Sequence, residues 1–348
     1  MPTRCRLAAQ YSRPAGVEYR FVFGKCDRRH TRVAPILLNA RVEAFAVLKG
    51  LVSRLGCSCV PSVGVHQRHS GTVTERGTTM EEAPVDYEES GSGPTVVLAP
   101  GSCSTAAAWR PVISEWNGRF RCVAISLLGY GGTAERRTAD DHSIAHHAAM
   151  LESVISRCGR HAHVVGHSFG ATVGIAAALR RNVHLASLTI LEAPAPELLR
   201  SCGEHRHYEA IRRMTRAYFD DFAVGNADAI GGMIDFYGGA GTFSSWPARA
   251  RDYAMRTTHV NMLDWASAYG FALSPVELAA IEIPVMIVLG GRSHPAMRRL
   301  NALLGQHIPG ATVVELAGAA HFMIATHASH VAEVVGQHLD QAEARRAA

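Results

Sequence analysis

From residue 95 onward the chain alternates between two textures. Short β-branched runs bounded by glycine, "TVVLAP" (95–100) and "RCVAISLL" (121–128), predict buried strands with a helix-length segment around Trp109 to Trp116 between them. After the loop "GYGGT" comes "SIAHHAAMLESVISRCG", in which Ile144, Met150, Leu151, Val154 and Ile155 recur at helical spacing and Gly159 supplies a stop. "AHVVG" then predicts a strand, "GATVGIAAALRRN" a helix and "LASLTILE" another strand. Strands this apolar, alternating with helices, imply an α/β fold with a mostly parallel sheet covered by helices on both faces.

The alternation stops at Ala195. Residues 195–280 are richer in polar and aromatic positions, with helices expected in "HYEAIRRMTRAYFDDFAV" and around "MLDWASAYGFAL", and glycine turns at Gly231-Gly232 and Gly238-Gly239. Strand texture resumes at "IPVMIVLG" (283–290), followed by a helix from about Ala296 to His307, a strand "ATVVELAG" and a final helix through "HVAEVVGQHL". The expected organisation is therefore a core of residues 80–194 and 281–348, interrupted by an inserted helical cap over 195–280.

Charge divides the chain differently. The net charge is +5, yet residues 1–79 hold 13 Lys and Arg against four acidic residues, which leaves the rest of the 348-residue chain mildly acidic. Three readings compete for this basic segment: a flexible leader that binds nucleic acid or an acidic surface, a transit-like peptide, or translated sequence upstream of the true start. The acidic stretch that opens at Met80, "MEEAPVDYEESGSGP", favours the third, so residues 1–79 are expected to lie outside the fold and carry no functional assignment. No run approaches the roughly 18 uninterrupted apolar residues of a membrane span. The eight cysteines lack metal-ligand spacing, Cys57-Ser58-Cys59 included, and read as reduced thiols of a cytoplasmic protein.

Candidate chemistry gathers at "VVGHSFGAT". Gly166-His167-Ser168-Phe169-Gly170 fits G-x-S-x-G, a turn in which a strand breaks sharply into a helix and holds a serine hydroxyl above a sheet. With "LAPGSCSTAAAW", "LLGYGGT" and "IPGATVVELAGAAHF" in the same order along the chain, the sequence from about Met80 resembles the α/β-hydrolase superfamily with a cap between its sixth and seventh strands. The resemblance implies an oxyanion loop, a loop after the fourth strand, a nucleophile elbow and a histidine loop at these four places.

A serine hydroxyl is a weak nucleophile without a base to take its proton. Ser168 is the expected nucleophile and His321, in the loop "GAAHF", its base; His327 and His330 lie in a helical pattern and suit the role less. The resemblance places the oxyanion donors on the backbone amides of Ser102 and Phe169. It also implies an aspartate after the seventh strand, where this chain has Ser293 and no aspartate between Asp264 and Asp340. Glu192, at the end of "SLTILE", is the expected substitute, because some superfamily members carry the acid after the sixth strand. A plain strand-end charge paired to an arginine is the competing reading. Glu282 precedes its strand and Glu315 lies within one, so both are less suitable.

These residues point to a serine hydrolase that cleaves an ester or related acyl compound through an acyl-enzyme. Cofactor-free peroxidation of carboxylic acids, carbon–carbon bond hydrolysis and a weakly catalytic ligand-binding role use the same fold and stay open. The cap aromatics Tyr218, Phe219, Phe222 and Phe236, with Tyr237, Trp246, Trp265 and Tyr269 after them, are expected to line an apolar pocket for a small-molecule substrate. No cofactor, metal, nucleic acid or membrane is implied: "GYGGT" lacks dinucleotide spacing, and His142, His146 and His147 lack a completing carboxylate. Oligomeric state is not legible.

Overall fold

Alternate residues of each apolar run are buried in different layers, as the two-residue period of a strand requires. Val96 and Leu98 face one core while Val97 and Ala99 face the other, and Cys122 and Ala124 part from Val123 and Ile125 in the same way. The computed structural model describes residues 84–159 and 161–347. The basic segment 1–79, with its cysteine pair, lies outside the described residues, as does Met80.

The strands are β1 (Tyr87–Ser90), β2 (Thr95–Ala99), β3 (Arg121–Ile125), β4 (Ala162–His167), β5 (Leu185–Leu191), β6 (Val285–Gly290) and β7 (Thr312–Leu316). They form one sheet in the order β1-β3-β2-β4-β5-β6-β7. All neighbours are parallel except β1, which runs antiparallel to β3. The mostly parallel α/β sheet read from the sequence is the one observed. Strand β1 was not foreseen, because "YEES" holds no apolar residue on the core side and joins the sheet edge through its backbone.

Helices cover both faces. Helices α1 (Arg110–Glu115) and α13 (Ala328–Ala347) pack on one, where Trp109, Val112, Val331 and Val335 are fully buried. Helices α2 (Ala145–Cys158), α3 (Phe169–Arg180) and α11 (Pro295–His307) pack on the other. A short helix, α12 (Met323–Thr326), precedes α13.

Between β5 and β6 the chain is helical: α4 (Pro196–Ser201), α5 (His205–Ala223), α6 (Ile230–Gly238), α7 (Thr242–Ser245), α8 (Ala248–Arg256), α9 (Thr258–Gly270) and α10 (Pro275–Leu278). The two strands flanking this insertion are those counted above as the family's sixth and seventh. The turn expected at Gly231-Gly232 is corrected: both residues lie inside α6. A β-carbon on Gly231 would stand 2.8 Å from the Phe243 ring, so this glycine serves close packing rather than a turn. Gly239, with φ +97°, does end α6 as expected.

Candidate active site

Every parallel strand ends at the same edge of the sheet, and the candidate residues gather there because each follows a strand. Ser168 stands between β4 and α3 with φ +54° and ψ −127°, a region that side-chain-bearing residues rarely occupy. The turn is held by hydrogen bonds from the Ser168 amide to the Leu191 carbonyl at 2.9 Å and from the Ala171 amide to the Ser168 carbonyl at 2.9 Å. The two glycines of the motif have steric causes. A β-carbon at Gly166 would lie 2.5 Å from the Ala171 α-carbon, and one at Gly170 would lie 2.3 Å from the Ala99 carbonyl oxygen.

His321, 2% exposed, lies in the loop between β7 and α12. Its Nε2 is 2.9 Å from Ser168 Oγ, and its Nδ1 is 2.8 Å from Glu192 Oε2. With the carboxylate accepting from Nδ1–H, Nε2 keeps its lone pair toward the serine hydroxyl. The Tyr237 ring stacks on the imidazole at 4.3 Å between centroids, which restrains its plane.

Glu192 follows β5 with φ +51° and is completely buried. Its other oxygen, Oε1, accepts from the Gly290 amide at 2.8 Å. Burial opposes its ionisation, but the His321 contact, the nearby Ser293 hydroxyl and the Gly290 amide outweigh that and hold its pKa below the ordinary carboxylate value. Among the described residues Glu192 pairs with His321 and the Gly290 amide and with no arginine, so the plain strand-end reading does not describe it. Glu282 and Glu315 do carry that kind of contact, with Arg181 and Arg298 respectively. Ser293 is 5% exposed, and its hydroxyl lacks a directed partner of its own while lying beside the Glu192 carboxylate.

Behind His321, His167 Nε2 donates to the His321 carbonyl at 2.8 Å, with the two rings 5.0 Å apart. Burial, then the nearby His321, push the His167 pKa down to about 3, so it stays neutral beside the base.

Ser102 and Phe169 sit on either side of the serine, in the loop after β2 and at the first position of α3. Gly101 lets this loop approach: a β-carbon there would be 2.9 Å from the Ser168 β-carbon. The Ser102 hydroxyl donates to Asp264 Oδ2 at 2.5 Å, and the Tyr130 hydroxyl donates to the same oxygen at 2.7 Å. Arg137, with no exposed side-chain surface, pairs with Asp264 Oδ1 at 2.8 Å and with Glu135 at 2.7 Å. Burial raises the Asp264 pKa, and its partners offset that only in part. Cys103 is inert as a thiolate source, because burial and the Asp264 charge push its pKa up to about 12.

A narrow cleft of about 50 Å³ opens over Ser168. Of the aromatics expected to line it, Tyr237, Trp246 and Trp265 do. Phe219 and Tyr269 flank a separate groove beside Arg212 and Arg216, Phe236 stacks on His294 at 3.9 Å, and Tyr218 and Phe222 pack into the main core. The sequence reading passed over Asn261 and Asp264, which line the cleft from α9. A signal existed: the buried residues of α9 include Asn261 and Asp264, with Thr258 and Ser267, beside Val260, Trp265 and Ala268 at spacings of three and four, so polar residues sit where apolar ones belong.

A profile described as "Alpha/beta hydrolase family" matches residues 96–336. Among curated proteins, RutD of Azorhizobium caulinodans, named for carbamate hydrolysis, is 31% identical over 140 residues, 39% of this chain and 52% of its own length. Haloalkane dehalogenase 2 of Mycobacterium bovis is 29% identical over 98 residues, 28% of this chain and 34% of its own. The chain thus matches about half the length of the first of these relatives and a third of the second. Among solved structures, the enol-lactonase of Burkholderia xenovorans aligns with a TM-score of 0.59 at 18% identity, covering 74% of this chain and 96% of that one. An esterase of Exiguobacterium antarcticum aligns at 0.60 and 15%, covering 74% and 95%; likenesses at these identities speak to the fold alone.

Proposed function

The chain belongs to the alpha/beta hydrolase family, and from that premise we propose that it is an enzyme, a serine hydrolase acting on an ester or related acyl compound through an acyl-enzyme. The observation that carries the reading is the unbroken chain of contacts from Ser168 Oγ through His321 to Glu192, at 2.9 and 2.8 Å.

In this mechanism Ser168 attacks the acyl carbonyl while His321 Nε2 takes its proton. Glu192 fixes the tautomer and stabilises the imidazolium as it forms. The neutral His167 adds no second positive charge to oppose that step. The Ser102 and Phe169 amides receive the oxyanion, and Asp264 fixes the oxyanion loop through the Ser102 hydroxyl. His321 returns the proton to the leaving group, then activates the water that releases the acid. The helical insertion over 195–280 serves as the cap that covers the acyl group.

The nucleophile type favours acyl chemistry over the alkyl-halide chemistry in one relative's name. A serine alkylated by a halide would become an ether, with no carbonyl for water to attack, whereas an acyl-serine keeps one. Hydrolysis of p-nitrophenyl butyrate tests the proposal: the wild type turns it over with a pre-steady-state burst equal to the enzyme present, and Ser168→Ala and His321→Ala abolish both. Turnover that survives Ser168→Ala overturns it.

A further inference from the structure

A polar atom enclosed without a partner costs about 1–3 kcal/mol, which a water, an ion or a ligand group that reaches it recovers, so such an atom in the wall of a cleft is a point of recognition. Among the described residues, the cleft over Ser168 holds three enclosed polar atoms on the insertion without a directed hydrogen bond: Asp264 Oδ1, which the Arg137 guanidinium neutralises at 2.8 Å, and two with no partner of either kind, the Asn261 carboxamide oxygen on α9 and the Tyr237 hydroxyl on α6. Asn261 is 2% exposed and Tyr237 5% exposed. Their neighbours are not loosely built. One turn beyond Asn261, Asp264 is engaged by Ser102, Tyr130 and Arg137, and Ser267 donates to the His142 carbonyl at 2.5 Å.

The two orphans bracket the reacting centre. Asn261 lies one helical turn from the residue that grips the oxyanion loop, while the Tyr237 ring lies against the His321 imidazole. Between them the wall is apolar, with Met233, Ile234, Trp265 and Ala268. Asp264, the carboxylate lining the cleft, is already ion-paired to Arg137. A carboxamide oxygen accepts and cannot donate, and a phenol hydroxyl does either. The complementary ligand is therefore neutral, mostly apolar, and carries an O–H or N–H close to its acyl carbon.

We infer that Asn261 and Tyr237 form a recognition subsite for a neutral hydrogen-bond donor, a hydroxyl or an amide N–H, on the acyl portion of the substrate. This deepens the proposed serine hydrolase reading and rests on it. A plain alkanoyl group leaves both atoms unpaired in the Michaelis complex, and a site with unpaired buried groups rejects the analogue that lacks the partner.

The experiment compares kcat/KM for two ester pairs: p-nitrophenyl butyrate with its 3-hydroxy counterpart, and p-nitrophenyl hexanoate with p-nitrophenyl N-acetyl-β-alaninate. Wild type, Asn261→Leu, Asn261→Ala and Tyr237→Phe are assayed, and thermal melts run alongside. In at least one pair the wild type favours the donor-bearing ester by about tenfold or more, and Asn261→Leu or Asn261→Ala reduces that ratio at least about fivefold. Intrinsic ester reactivity cancels when ratios are compared between proteins. Asn261→Leu melts at or above the wild-type temperature, because an unpaired buried group has been removed, whereas a structural role for Asn261 would lower it. Turnover of all four esters without discrimination, or discrimination unchanged in the Asn261 variants, overturns the subsite and leaves the hydrolase reading standing. Failure to turn over any ester, with Ser168 unlabelled by a fluorophosphonate, overturns both.

Discussion

Replacing Glu192 by glutamine removes one charge and nearly no volume, yet the geometry makes it severe. The two carboxylate oxygens accept from different donors, Oε1 from the Gly290 amide and Oε2 from His321 Nδ1, each at 2.8 Å. A carboxamide has one acceptor for these two donors. With its oxygen toward His321, its NH₂ opposes the buried Gly290 amide, at a cost of about 1–3 kcal/mol. With its oxygen toward Gly290, its NH₂ faces Nδ1, and the imidazole must turn Nε2–H toward Ser168, so that it no longer accepts the proton. The expected loss in kcat is about 10⁴-fold, the size seen when a triad acid is amidated in a serine protease, equivalent to about 5.5 kcal/mol of barrier. The assay is p-nitrophenyl butyrate hydrolysis, with circular dichroism to establish folding. Adding Ser293→Asp to Glu192→Gln supplies a carboxylate from the adjacent strand end and restores at least about tenfold. A folded Glu192→Gln enzyme within about tenfold of wild type would refute the assignment of the acid.

Three further outcomes follow from the same contacts. Asp264→Asn strands the Arg137 guanidinium in the interior with Glu135 and the Ser267 hydroxyl as its remaining partners, and should lower unfolding free energy by about 3 kcal/mol in urea; a change under about 1 kcal/mol contradicts the network. Gly170→Ala forces a β-carbon to 2.3 Å from the Ala99 carbonyl and 2.4 Å from that of Pro100, and should cost about 2–3 kcal/mol, read as a lowered urea midpoint, where an unchanged midpoint would contradict the packing. His167 and His338 are buried with pKa values pushed down to about 3 and about 4, so the stability they contribute is whole above the unfolded value near 6.5 and declines as pH falls toward the folded values. Each adds a slope of about 1.4 kcal/mol per pH unit below the unfolded value, so these two alone should make the protein about 2–3 kcal/mol less stable at pH 5.5 than at 7.5, and the buried His147, also held well below its ordinary value, adds to that loss; equal urea midpoints at the two pH values would exclude this.

What the sequence disclosed depended on whether the signal was local. Apolar runs located six of the strands among the described residues: β2 to β6 are buried on both faces, which leaves an apolar imprint on the strand itself, and β7, at the exposed edge, still carries Val313, Val314 and Leu316. Strand β1 escaped because an edge strand is held by its backbone, and "YEES" carries no such imprint. Ser168 was visible through its flanking glycines, whose steric necessity the fold explains. Glu192 was reached through the resemblance, which implies an acid where this chain has Ser293 and allows one after the preceding strand; the two residues lie at adjacent strand ends, with the Ser293 hydroxyl beside the Glu192 carboxylate. Ser102, Tyr130, Arg137 and Asp264 were not put together, because they come from three segments, the loops after β2 and β3 and helix α9, and meet only once the insertion folds over the sheet. Among the cap aromatics, sequence could not separate those that face the cleft from those that pack the insertion's own interior.

The central claim is that Ser168 is activated by His321 and Glu192. It is tested most directly by incubating the purified protein with a fluorophosphonate at neutral pH and mapping the adduct by peptide mass spectrometry. The account predicts a single phosphonylated peptide, modified at Ser168, with labelling lost in Ser168→Ala and slowed in step with esterase activity in Glu192→Gln. An unlabelled Ser168 in the folded wild-type protein, or labelling indifferent to Glu192, would contradict it.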